Sequence, residues 1–141
     1  IRDPAKVLPS MYDKWPDFMV EETGYAEQRE LFERITKAYS APPVIDADDL
    51  VNRPDATVRA YCEAVDIPFV PKALSWAHGE RKEVSWYDNG NWHGNLKAST
   101  GLKRQKNNYL DVDTNEHLWQ TYEICLPHYQ ALCKYRLGSG K

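Results

Sequence analysis

Very little of this sequence can be strand. Val44-Ile45 is a short apolar run ending in Asp46, as in a buried parallel strand, and Ile1 reads as the last residue of a strand lying mostly outside this chain. Two strands of that length cannot form an independent sheet. The fold is therefore either a mostly helical domain or the later part of an α/β fold whose earlier strands lie upstream. The chain begins at Ile1 rather than Met, which favours the second view, with something upstream removed, cut or left out.

Helix signals fill the space between. Asp3-Pro4 is an N-cap with Pro at the first helical position, and Val7, Leu8 and Met11 follow at helical spacing up to Trp15-Pro16. Gly24-Tyr25 opens a second helix, with Leu31, Phe32, Ile35 and Tyr39 on one face, and Ala41-Pro42-Pro43 breaks it. Asp48-Asp49-Leu50 reads as a single turn after the strand. Pro54 starts a third helix, in which Val58, Tyr61, Cys62 and Val65 share a face, so Cys62 reads as core rather than nucleophile. Ile67-Pro68-Phe69-Val70-Pro71 is extended. Residues 72–110 carry no sustained period but hold the turn signal Asp88-Asn89-Gly90-Asn91, and such stretches are often functional. Asp113 and Glu116 have the spacing of a capping box for a last helix, whose face runs through Leu118, Tyr122, Cys125, Tyr129, Leu132, Cys133 and Arg136, with a kink expected at Pro127. Gly138-Ser139-Gly140 reads as a flexible tail.

The 141 residues suffice for one domain, 1–141, with a sizeable core. A net charge of −3 argues against a nucleic-acid partner, and no apolar run is long enough to span a bilayer. Three cysteines, Cys62, Cys125 and Cys133, form no CxxC pair and fit reduced thiols in the cytoplasm. The charge is uneven. Residues 1–50 hold eleven acids and six bases, whereas residues 72–106 hold seven bases and three acids, a balance suited to a small anionic ligand. Trp76, Trp86, Tyr87 and Trp92 lie inside that basic segment. His78, His93, His117 and His128 lack metal-ligand spacing, and Asp111-x-Asp113-x-Asn115 lacks the Gly and Glu of a calcium loop, so no metal is expected. No glycine-rich nucleotide loop and no GxSxG is present.

Arg2 stands at a strand–helix junction, beside helix amides and the positive end of a helix dipole, a natural place for a phosphate. Ser10 comes eight residues later, about two helical turns on and near the Arg2 side. A guanidinium and a hydroxyl so placed can hold one phosphate together.

Ile1-Arg2-Asp3-Pro4 with Ser10 resembles the second cofactor motif of the bacterial sulfotransferase family. So do the later stretches Val44 to Leu50, Pro54, Cys62, Ile67-Pro68-Phe69, Leu74-Ser75-Trp76, Trp92-His93 and Ser99-Thr100-Gly101, in order, over most of residues 1–105. The resemblance implies an α/β sandwich related to P-loop kinases, of which this chain is the later, mostly helical portion with few short strands. The family's first strand, its phosphosulfate-binding P-loop and its usual catalytic base lie upstream of the Arg motif and are not in this sequence. The implied cofactor is 3′-phosphoadenosine 5′-phosphosulfate, with Arg2 and Ser10 on its 3′-phosphate. The family's C-terminal loop, commonly Arg-Lys-Gly-x-x-Gly, has no clean match: Arg81-Lys82 runs into Glu83, and Lys103-Arg104 lacks the glycines.

The implied activity is transfer of a sulfuryl group to the hydroxyl of a small acceptor. Such chemistry needs positive donors and a base for that hydroxyl. Arg2 and Ser10, with one of Arg81, Lys82, Lys97, Lys103 or Arg104, would supply the first. Trp76, Trp86 or Trp92 would stack on adenine or line the acceptor pocket, and His93 is the histidine best placed to touch a ligand. The missing N-terminal half would be the necessary partner, and the chain by itself would be inactive. Two other readings compete. One is a non-catalytic helical domain binding a protein through its aromatic surface, the other a nucleotide-dependent kinase-like relative.

Overall fold

A computed structural model describes residues 1–79, 94–104 and 108–138. Among them are six α-helices: α1 (Pro4–Lys14), α2 (Tyr25–Ala38), α3 (Ala47–Asn52), α4 (Pro54–Ala64), the single turn α5 (Gly94–Lys97) and the long α6 (Glu116–Cys133). The expected turn Asp88-Asn89-Gly90-Asn91 lies outside the described residues.

Local chemistry sets most boundaries. The Asp3 carboxylate caps α1 by accepting from the Ala5 N–H at 2.9 Å, Pro4 occupies the first helical position, and the Trp15 N–H closes the helix on the Met11 carbonyl at 2.7 Å. Gly24 takes φ 72°, ending the turn Val20–Thr23 and starting α2, a left-handed conformation that glycine adopts without strain. Two bonds, Ile67 N–H to Cys62 C=O at 2.9 Å and Asp66 N–H to Glu63 C=O at 3.4 Å, close α4 in a Schellman pattern with Asp66 left-handed at φ 55°.

The strand remnants are real and pair. Ile1 N donates to the Ile45 carbonyl at 2.6 Å, and the Ala47 N–H donates to the Ile1 carbonyl at 2.8 Å. Bonds to either side of Asp46 are the parallel pattern. Val44 forms a parallel bridge with Arg136, and the Leu137 N–H reaches the Val44 carbonyl at 2.8 Å. Successive carbonyls of an extended segment face opposite edges, so residues 44–46 lie in the middle of a three-segment ribbon, between Ile1 and Arg136. The third segment was not expected.

α6 packs against both α1 and α2. Near its start Leu118 joins Leu8 and Phe18, surrounded by Met11, Tyr12, Val112 and Tyr122; near its end Leu132 joins Phe32, Val44 and Ile1. Fourteen residues separate Leu118 and Leu132, so one helix about 20 Å long between them ties both clusters together. Cys62 is buried, as the helical spacing implied, and all three thiols are free. No helix among the described residues is long and apolar enough to cross a membrane.

Three expectations change. Leu31 and Tyr39 do not share the buried face of α2: they are 56% and 80% exposed, and Tyr25 and Phe32 are the buried pair. The cap of α6 is Asn115, which accepts from the Leu118 N–H at 3.1 Å; Asp113 belongs instead to the preceding turn Val112–Thr114. The buried face of α6 includes Thr121, whose hydroxyl satisfies itself on the His117 carbonyl at 2.8 Å, while Arg136 lies beyond the helix in the ribbon.

Candidate functional site

Where α1 leaves the ribbon, three adjoining cavities of about 470, 430 and 310 Å³ share two residues, Arg2 and Tyr109. Each lies in the range of small-ligand sites. Ser10 lines the first and the third with Arg2, so the two residues separated by two helical turns do reach one space. The first cavity is completed by Val7, Met11, Lys14, Gly94 and Asn95. The second adds Lys6, Asp48, Lys103, Arg104 and Asp111. The third adds Trp76, Ser99, Gly101, Leu102 and Lys103.

The cations differ in what they touch. Lys6 and Arg104 both pair with Asp48, Arg104 at 3.4 Å, and Arg104 also reaches Asn52 Oδ1 at 3.5 Å. Lys14 pairs with its neighbour Asp13 at 3.1 Å. Among the described residues, no carboxylate pairs with Arg2 or Lys103, and the Ser10 hydroxyl makes no hydrogen bond. The backbone of Arg2 is held, its carbonyl accepting from the Tyr25 hydroxyl at 2.8 Å. That phenol is pushed above its ordinary value, chiefly by burial, and stays a donor.

The amides of α1 do not contribute as expected. Pro4 has no N–H, the Ala5 N–H is taken by the Asp3 carboxylate, and the Lys6 and Val7 N–H groups both point to the Asp3 carbonyl at 2.9 and 3.2 Å. Anion attraction at this end of α1 therefore rests on side chains.

On the far wall, Ser75 and Gly101 form an antiparallel bridge, the Trp76 N–H bonds the Thr100 carbonyl at 3.1 Å, and Trp76 Nε1 donates to Ser99 Oγ at 3.0 Å. Trp76 is thus fixed beside the 310 Å³ cavity. A Cβ on Gly101 would stand 3.0 Å from the Leu74 carbonyl oxygen, so glycine lets these backbones approach without pushing each other back.

Of the sequence-derived candidates, Arg2, Ser10, Lys103 and Arg104 come together here. Lys97 ends α5 and does not line these cavities. Arg81 and Lys82 lie outside the described residues, as do Trp86, Trp92 and His93. Sequence reasoning missed Lys6 and Lys14, although Lys6, Ser10 and Lys14 are spaced four apart and form one stripe along α1, with Arg2 just ahead of it. It also missed Tyr109 and Asp48 as site residues and weighed Asp111 only as part of a calcium-loop pattern; all three reach the site from elements remote in sequence.

A family model for the sulfotransferase domain matches residues 1–136. The chain belongs to that family. Two curated plant proteins of Arabidopsis thaliana are also similar. Branched-chain-amino-acid aminotransferase-like protein 2 is 31% identical over 136 residues, covering 94% of this chain and 23% of that protein. Branched-chain-amino-acid aminotransferase-like protein 1 is 31% identical over 110 residues, covering 75% of this chain and 19% of the relative. The chain thus spans about a quarter or less of the curated relatives it matches. No solved structure matches it.

Proposed function

We propose that this chain is the nucleotide-holding part of a sulfotransferase with a P-loop-type α/β fold, and that Arg2 and Ser10 grip the 3′-phosphate of 3′-phosphoadenosine 5′-phosphosulfate. The observation that carries the reading is the shared cavity: an exposed guanidinium without a carboxylate partner among the described residues and an unengaged hydroxyl face one space of about 470 Å³. That pair fits a dianionic phosphate, because charge-assisted bonds from a planar fork are the strong ones. When bound, the nucleotide supplies the sulfuryl group. Lys103 adds positive charge from the opposite wall, and Trp76 or Tyr109 offers a flat apolar face for adenine. The phosphosulfate loop and the base that takes the acceptor's proton would come from sequence upstream of Ile1.

The test uses the protein with its upstream sequence. 3′,5′-Diphosphoadenosine should raise its melting temperature, because a ligand that binds only the folded state stabilises it. Arg2→Ala should weaken binding about 10- to 100-fold and Ser10→Ala about 3- to 10-fold, from the usual worth of charged and neutral hydrogen bonds. A shift with ATP instead would indicate a kinase-like relative. No shift with either would favour a protein-interaction role, for which exposed Leu31, Trp119 and Ile124 offer apolar surface.

A further inference from the structure

Asp48 stands among the cations of the 430 Å³ cavity with one oxygen on Lys6 and the other, at 3.4 Å, on Arg104. Three elements meet in that one carboxylate: Lys6 belongs to α1, Asp48 to the first turn of α3, and Arg104 to the segment that follows the Ser75–Gly101 bridge. The side chain has no capping duty, since Asp46 caps α3 by accepting from the Asp48 N–H at 2.8 Å. Its charge is therefore free to serve the cavity.

We propose that Asp48 is an internal stand-in for the anion: it occupies Lys6 and Arg104 while the site is empty and yields Arg104 to a phosphate or sulfate group on binding. This rests on the anion-binding reading of the groove and adds a specificity-setting residue to it. The Arg104 contacts are long, 3.4 Å to Asp48 and 3.5 Å to Asn52, and its side chain is 57% exposed. Exposed pairs of this kind are weak and easily exchanged, whereas a bidentate bond from arginine to a dianion is strong. The same carboxylate repels anions that cannot recruit Arg104.

The experiment compares wild type, Asp48→Asn and, as a charge control, Asp55→Asn, in the protein with its upstream sequence. Asp55 carries the same charge on α4, pairs with Arg59 at 3.2 Å, and is not among the residues lining the three cavities. Binding of 3′,5′-diphosphoadenosine and of inorganic pyrophosphate is titrated at low salt. Asp48→Asn should tighten both by about fivefold, the worth of one or two exposed ion pairs, and Asp55→Asn should change neither. If pyrophosphate binding tightens while the nucleotide binds neither protein, Asp48 keeps its role and the nucleotide reading fails. Affinity for both probes that is unchanged, weakened, absent, or raised equally by Asp55→Asn overturns the proposal.

Discussion

Asp46 is 2% exposed yet keeps both carboxylate oxygens engaged, one on the Asp48 N–H at 2.8 Å and the other on the Tyr129 hydroxyl at 2.7 Å. A buried carboxylate is tolerated only when so satisfied. The Tyr129 phenol is pushed above its ordinary value, first by burial, then by bonding with Cys133 and with Asp46, so it remains a donor. Tyr129→Phe should cost about 1–3 kcal/mol, the penalty of leaving an oxygen of Asp46 without a partner, read as a lower midpoint in urea. The pH dependence follows the same sign. A raised phenol favours the protonated, folded form, so that stability is intact below about pH 10, the value of a free phenol, and is lost as the pH climbs beyond it. Tyr129→Phe should flatten this alkaline loss; an undiminished alkaline slope in the variant would contradict the assignment.

At the scale of elements, α1 is a rail for the site: its stripe of Lys6, Ser10 and Lys14 faces the cavities, with Arg2 just ahead of it, while Leu8 anchors the opposite side in the core. The facing wall depends on a backbone contact. Gly101→Ala should loosen the Ser75–Gly101 pairing, since its new methyl would stand 3.0 Å from the Leu74 carbonyl oxygen and push the backbones back by a few tenths of an ångström. Hydrogen exchange at the Trp76 amide should then quicken, and amides of α6 should keep their protection. Unchanged protection at Trp76 would show that this wall does not need glycine. Much of α1 was legible in sequence because its cap, its first proline and its apolar spacing are all local. The start of α6 was not, because Asp113 and Asn115 are both good caps and the turn Val112–Thr114 claims the first of them.

For the whole molecule, the decisive arrangement is non-local. Val44-Ile45 was readable as a strand from its apolar run, and Ile1 from the motif that follows it, but nothing near Arg136 announced a third segment beside them. The same holds for the groove: Arg2, Ser10, Lys103 and Arg104 were found by residue type and motif, whereas Tyr109 and Asp48 join only because α1, α3 and the segments around 101–104 and 108–111 converge. The proposed function turns on one ligand feature, the 3′-phosphate of the nucleotide. The sharpest measurement is isothermal titration of 3′,5′-diphosphoadenosine against adenosine 5′-phosphate, which lacks that group, on wild type and Arg2→Ala. Wild type should prefer the diphosphate by about 10-fold or more, the least that a charge-assisted phosphate contact is worth, and Arg2→Ala should lose most of that preference, keeping only what Ser10 supplies. Equal affinities in wild type, or a preference undiminished by the loss of Arg2, would contradict the account.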